Sequence, residues 1–511
     1  MTRNALGREI PEGLPGGRRI YDGSHPASRL TGRSGRVKGV MPAPSGKTLP
    51  SIEDAIRASG LKDGMTVSFH HHLRDGDDVL NMVLEACSRM GLKDLRVAAS
   101  SIFPVHAPVV DHIRNGVVTA VEANYIGGPV GEAISAGLLP RPAILRTHGG
   151  RVRAIEAGEL EIDIAFIAAP CADPGGNLNG VQGPSACGSL GYAVVDAQYA
   201  RCVVAVTDNL VPFPACPISI PGGNVDFVVE VDSIGDAAGI VSGSTRITRD
   251  PVGLVIARNA ARAIQASGLL KDGFSFQTGA GGTSLAVASF VRKMMHEGRI
   301  KGSFGLGGIT EFFVSMLEEG LFSTLLDTQD FDATAVRSLR ENPRHQEIDC
   351  GLYASPGRKG AAVDHLDVVV LGATEVDTSF NVNVTTSSDG VVMGGSGGHS
   401  DAAAGAKLTV IVTRALRTRL PVIRDSVTCV STPGDSVDMV VTERGTAVNP
   451  ARPDLAGLLR ERGILVRDIL EIKEEIEALV GRPAPLAISG RIVVINEYRD
   501  GSVIDVVRQV V

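Results

Sequence analysis

A chain of 511 residues exceeds what one hydrophobic core serves. At about 100–200 residues per domain it predicts more than one. The net charge of −7, mixed in sign along the chain, leaves no basic stripe for nucleic acid, and no uninterrupted apolar run nears the roughly 18 residues of a membrane span. The 7 cysteines are widely spaced, odd in number and without a CxxC pair, so reduced thiols in a cytoplasmic protein without a leader are expected.

Residues 1–50, rich in Gly, Pro, Arg and Ser, show no periodicity and are expected as an extended arm. Ser51 as N-cap, Asp54 in the first turn and Gly60 beyond the end predict a helix over 51–59. From Leu61 onward short apolar runs (MTVSF, LRVAAS, VVTAVEAN, AILRTH, IDIAFIAAP) alternate with amphipathic stretches such as VLNMVLEACSRMG. Apolar strands separated by helices predict a parallel sheet covered on both faces, and hence the α/β class. The tail from Pro453 carries two amphipathic helices and the strands RIVVI and SVIDVVRQVV, expected to close the second of two domains.

Those domains, 51–240 and 241–511, follow from an internal duplication. SGLKDGMTVSF at Ser59 returns as SGLLKDGFSF at Ser267. DIAFIAAPCADPGGNLN matches DVVVLGATEVDTSFNVN without a gap, pairing Asp173 with Asp377, Asn177 with Asn381 and Asn179 with Asn383. GSLGY at Gly188 meets GSGGH at Gly395, which sets Tyr192 opposite His399. In open parallel sheets ligands sit beyond the carboxyl ends of the strands, so two such domains predict a shared cleft.

The copies diverge where chemistry is expected. After its first strand the first copy has HHHLRDGDD (His70 to Asp78), whereas the second has QTGAGGTSLA (Gln277 to Ala286). His70, His71 and His72 suggest a metal, a polar lining for an acidic substrate, or ordinary loop residues; consecutive strand residues point to opposite faces, which weighs against one shared ion. Arg146, His148, Arg151 and Arg153 in RTHGGRVR have the make-up of a carboxylate clamp, or equally of a charged surface. The cluster Gly394 to Gly398 offers backbone N–H groups to an oxyanion, or only a turn. Asp173 and Asp377 are expected to cap loops.

At Gln277–Thr283, Gly372–Asp377 (GATEVD) and Gly394–Asp401 (GGSGGHSD) the chain resembles the CoA-transferase superfamily. The segments from SGLKDGMTVSFHHHLRDGD through RTHGGRV, GELEIDIAFIAAPCAD, CGSLGYAVVDA, FSFQTGAGGTSLAV and LDVVVLGATEVDTSFNVNV to YRDGSVIDVV resemble the citrate lyase alpha subunit family across nearly all of 51–511. The resemblance implies two related open parallel-sheet domains of CoA-transferase type facing a shared cleft. It implies a citrate CoA-transferase that exchanges acetyl for citrate on a CoA thioester, or on an acyl-carrier subunit bearing a CoA-derived prosthetic group. Beta (lyase) and gamma (acyl-carrier) subunits in an oligomeric complex are implied as partners, with no metal in this subunit. The same resemblance suggests Glu311, Glu375, Gly397 and Gly398 as catalytic, and Gln277, Gly279, Gly281, Gly282, Gly394 and Gly395 as the thioester-arm site. His70, His71, Arg146, His148 and Arg151 are expected to hold the acid. Direct attack by citrate in a ternary complex is the expected route. The alternatives are a covalent role for Glu311 on another short-chain acid, as transferase or thioester hydrolase, and a non-catalytic scaffold of the same fold.

Overall fold

The computed structural model describes residues 2–11, 18–23, 46–241 and 246–511. Helix α1 (Ile52–Ser59) begins as the sequence predicts: the Ser51 hydroxyl accepts the Asp54 N–H at 3.1 Å, and Gly60 ends the helix at φ 71°. Seven strands of one sheet follow in the first half: β1 (Thr66–Phe69), β2 (Leu95–Ala99), β3 (Val118–Ala123), β4 (Ala143–Leu145), β5 (Ile164–Ala168), β6 (Cys202–Thr207) and β7 (Phe227–Glu230). The second half repeats them as β8 (Phe276–Thr278), β9 (Gly302–Ile309), β10 (Phe322–Asp330), β11 (His345–Glu347), β12 (Val368–Gly372), β13 (Leu408–Val412) and β14 (Met439–Thr442). Within each set the pairing is parallel.

The spatial order β4-β3-β2-β1-β5-β6-β7 recurs as β11-β10-β9-β8-β12-β13-β14. Duplication also extends to single hydrogen bonds. Asp173 accepts the backbone N–H of Gly175 and of Asn177, and Asp377 those of Ser379 and Asn381. Asn177 and Asn381 each accept a glycine N–H at 2.9 Å, from Gly222 and Gly434. These side chains hold the turn after the central strand, which accounts for their recurrence in sequence.

The tail departs from the expected division. Strand β16 (Ile488–Glu497), beyond β15 (Gly445–Val448), pairs in parallel with β4, and β17 (Val503–Val510) pairs antiparallel with β16, so both belong to the first sheet. The three-residue β4 would otherwise expose an unpaired edge, and the long tail strand covers it. The arm lies on the same strands: Tyr21 packs edge-on to Tyr498 at 5.1 Å, and Arg8 pairs with Asp505 at 2.7 Å. The rest of the expected arm, 12–17 and 24–45, lies outside the described residues. Among the described residues no helix is long and apolar enough to cross a membrane, and the seven cysteines are unbridged.

Candidate active site

A cavity of about 320 Å³ opens where the carboxyl ends of the two sheets meet. The second half contributes Gln277 and Thr278 from the end of β8 and Gly279, Ala280 and Gly281 from the turn after it, together with Gly308, Thr328, Phe331, Leu371 and Gly372 near the ends of neighbouring strands. Tyr125 follows β3, His148 opens α2 (His148–Glu156) after β4, and Tyr192 comes from the first-half glycine loop. Tyr353, Val384, Gly395, Ser396, Gly398 and His399 complete the wall. A larger surface hollow at Thr48–Pro50 carries Asp208, Glu230 and Asp232, charges that would repel an acidic substrate.

Two histidines, His399 and His148, are fixed in this wall. His399, the first residue of the helix His399–Gly405, meets the Gly372 carbonyl through Nε2 at 2.9 Å and the Thr432 hydroxyl through Nδ1 at 2.7 Å. A carbonyl only accepts, so Nε2 carries a proton. Burial lowers its pKa to about 4 despite the Gly372 bond. His148 is partly exposed as a residue, and desolvation followed by the nearby Arg151 charge lowers its pKa to about 3. Its Nε2 stands 3.0 Å from the Tyr192 hydroxyl, and its Nδ1 is buried without a hydrogen-bond partner. Across the cavity the Gln277 Nε2 donates to the Tyr353 hydroxyl at 2.8 Å, leaving Gln277 Oε1 without a partner.

The glycine cluster joins the halves. Ile126 N–H donates to the Gly394 carbonyl at 3.1 Å, His148 N–H to the Gly397 carbonyl at 2.9 Å, and Gly397 N–H to the Asn124 carbonyl at 3.3 Å. A Cβ on Gly395 would lie 2.2 Å from the Asn124 oxygen, and one on Gly398 2.4 Å from the Tyr353 hydroxyl. At Gly395 the absence of a side chain is therefore demanded by close backbone approach, and at Gly398 by the Tyr353 ring. The Gly397 N–H is spent on Asn124 and the Gly279 N–H on the Val370 carbonyl at 2.7 Å, so neither is placed for an oxyanion. Gly281 caps the 17-residue helix α3 (Gly282–Gly298), whose first-turn N–H groups lack intrahelical acceptors.

Several expected site residues are engaged elsewhere. Arg146 is buried between Glu122 and Glu497, the latter at 2.7 Å. Arg151 grips Asp196 with two bonds of 2.8 Å, and Arg153 pairs with Glu159. His70 also binds Asp196, His71 bonds Gln329 at 3.0 Å, and His72 reaches the Ala168 carbonyl at 3.3 Å, so the three rings turn to separate partners. Burial alone would raise the Asp196 carboxyl, but Arg151 and then His70 hold it well below the usual range. Glu375 is fully buried, pairs with Arg424 at 3.1 Å, and accepts the Thr428 N–H at 2.8 Å. Glu311 is an exposed first residue of the helix Glu311–Glu318, outside the cavity wall.

Consequently no residue lining the cavity, among the described residues, carries a carboxylate or a thiol. Sequence reading missed Tyr125, Thr328, Phe331, Tyr353 and Ser396; only Tyr192, paired with His399 by the duplication, had a usable signal. Arg74 was missed as well. Its guanidinium carbon lies 4.6 Å from the centroid of Phe331, a wall residue, and 5.2 Å from that of Phe103. Its backbone is in the left-handed region at φ 54°, a conformation that costs a non-glycine residue and is retained most often at functional sites.

The family model for the citrate lyase alpha subunit (CitF) matches residues 45–510. The chain belongs to the citrate lyase alpha subunit family. Within it, the citrate lyase alpha chain of Klebsiella pneumoniae is 51% identical over 464 residues, covering 91% of each chain. That of Escherichia coli K12 is 52% identical with the same coverage. A crystal structure described as the alpha subunit of citrate lyase from Streptococcus mutans in complex with citrate superposes with a TM-score of 0.95, at 50% identity and over 100% of both chains. The alpha subunit of malonate decarboxylase from Acinetobacter baumannii shares the fold alone, with a TM-score of 0.64 at 15% identity over 84% of this chain and 93% of that one.

Proposed function

We propose that this citrate lyase alpha subunit exchanges acetyl for citrate on an acyl-carrier thioester by direct attack of a citrate carboxylate, without a covalent enzyme intermediate. The observation that carries the reading is the cavity wall, which contains tyrosine, histidine, amide and glycine backbone and no carboxylate or thiol among the described residues. Neither Glu311 nor Glu375 reaches it. The nucleophile must then arrive with the substrate.

A CoA-derived prosthetic arm fits the glycine side of the cavity. An added Cβ at Gly372 would meet nothing within 4 Å, and those at Gly279 and Gly281 would meet only ordinary contacts at 3.6 and 3.8 Å. Such backbone-lined space suits a slender unbranched arm, which supplies the thioester carbonyl and, on exchange, its thiolate. The first-turn N–H groups of α3 face a negative oxygen favourably, and each well-placed donor of this kind contributes about 3–4 kcal/mol to a transition state. Rotation of the Gln277 amide lets Tyr353 donate to Oε1 and turns the Gln277 NH₂ into a further donor. Neutral His148 accepts from Tyr192 at Nε2, which fixes the ring that lines the cavity. Arg74, behind Phe331, places positive charge next to a polyanion.

On this reading the carboxylate attacks the acetyl carbonyl, the mixed anhydride forms as the thiolate leaves, and thiolate returns to the citryl carbonyl to release acetate. Enclosure keeps the anhydride from water and holds the groups together, an advantage that reaches about 7–11 kcal/mol in well-oriented systems. The lyase and acyl-carrier subunits and a cytoplasmic location belong to the same proposal. Supplying the purified protein with acetyl-CoA and a panel of di- and tricarboxylates tests it. New acyl-CoA with citrate supports the reading, exchange favouring citramalate would reassign the acid, and no exchange with CoA or acyl-carrier thioester would remove it.

A further inference from the structure

We propose that Asp327, Asp330 and His345 form a binding site for one divalent transition-metal ion of the zinc class, at the seam between the two halves. One ligand atom of each residue lies within 4.8 Å of those of the other two, and all three side chains are buried. Both aspartates stand at the carboxyl end of β10, and His345 begins β11, its parallel neighbour. The position depends on the sheets themselves and on no mobile loop.

The groups around the cluster hold the other atom of each ligand. Asp327 Oδ1 accepts the Gln329 N–H at 2.7 Å, and Asp330 Oδ2 accepts the Ser189 N–H at 2.8 Å. His345 Nδ1 lies 3.0 Å from the Ser338 hydroxyl; with Nδ1–H as donor, Nε2 keeps its lone pair. What remains is Asp327 Oδ2, 3.0 Å from His345 Nε2, and Asp330 Oδ1, buried and facing no donor but the neighbouring Asp327 carboxyl. A fully buried carboxylate oxygen without a donor is costly unless a cation or proton meets it.

Among the described residues neither carboxyl forms an ion pair with a lysine or arginine, and the one basic partner is His345. One imidazole nitrogen and two carboxylate oxygens are the donor set of Zn²⁺ or Mn²⁺ more than of Mg²⁺ or a soft ion. The site departs from the absence of metal expected from the sequence. Its consequence is positional: Thr328, between the two aspartates, lines the cavity, and Ser189 comes from the glycine loop that also carries Tyr192. The ion would tie the loop of one half to the strand of the other behind the cavity wall.

The test uses the full chain. Metal content is measured on the purified protein, then chelator-stripped protein is titrated with Zn²⁺ and Mn²⁺ by calorimetry, and with Co²⁺ by absorption. The expected result is about one equivalent bound, with a Co²⁺ spectrum of nitrogen and oxygen ligands lacking a thiolate band. Asp330→Asn and His345→Gln should each weaken binding by more than the 10–100-fold typical of outer-shell changes. Stripped wild type that keeps its circular dichroism yet takes up neither ion would overturn the proposal. So would a thiolate band, or folded variants that bind as wild type does. If the variants fail to fold, the wild-type titration and the cobalt spectrum decide alone.

Discussion

The hydroxyl of Tyr192 lies 3.0 Å from Nε2 of His148, so a residue of the first-half glycine loop sets the orientation of an imidazole that lines the cavity. Replacing Tyr192 with Phe keeps the ring and removes that bond. Exchange is expected to slow roughly tenfold, ~1.4 kcal/mol, in kcat with little change in KM. Steady-state kinetics on acetyl-CoA and citrate checks this, and an unaltered kcat would separate the pair from the reaction.

The two glutamates suggested by the sequence should part company. Glu311 is exposed and does not line the cavity, so Glu311→Gln is expected to retain full exchange, and borohydride should trap nothing on wild type after acetyl-thioester treatment. Glu375→Ala strands Arg424 in a buried ion pair, a change that typically costs about 3–5 kcal/mol of stability. Urea denaturation of both variants distinguishes them.

Arg74→Gln removes the cation behind Phe331. KM for citrate is expected to rise at least about tenfold while kcat changes less, and the loss should shrink as ionic strength rises and screens the field. Arg74→Lys, which keeps the charge but not the planar stacking, should fall between. A uniform loss in kcat with unchanged KM would speak for packing alone.

His399 provides a pH test whose sign is fixed by its environment. Its folded pKa is lowered to about 4 from 6.5, so the stability it contributes is present above pH 6.5 and is lost as pH falls toward 4. Relative to His399→Gln, wild type should therefore lose advantage by about 1.4 kcal/mol for each pH unit below 6.5. Denaturant midpoints at pH 7, 6 and 5 measure the gap, and a constant gap would mean that the imidazole is charged in the folded state.

Much of the fold can be read from local pattern. The duplicated Asp and Asn residues recur because a turn needs their side-chain oxygens, and Gly60 stands where a helix end needs positive φ. The tail strands join the first sheet although they follow the second half in sequence, a pairing invisible locally because an apolar strand says nothing of its partner and β4 is several hundred residues away from β16. The same limit governs the site. Arg146 and Arg151 have the make-up of a clamp until Glu122, Glu497 and Asp196 are seen to consume them. Gln277 and its glycines were visible because tight backbone leaves a composition trace, whereas lone aromatics such as Tyr125 and Tyr353 leave none.

The central claim, attack by the substrate's own carboxylate, is tested most directly by a single turnover of acetyl-thioester with citrate labelled by ¹⁸O in its carboxylates. Direct exchange passes one citrate oxygen through the mixed anhydride, so the first acetate released should carry one ¹⁸O and the protein none. A first acetate free of label, with ¹⁸O recovered in a glutamate of the protein, would contradict the account.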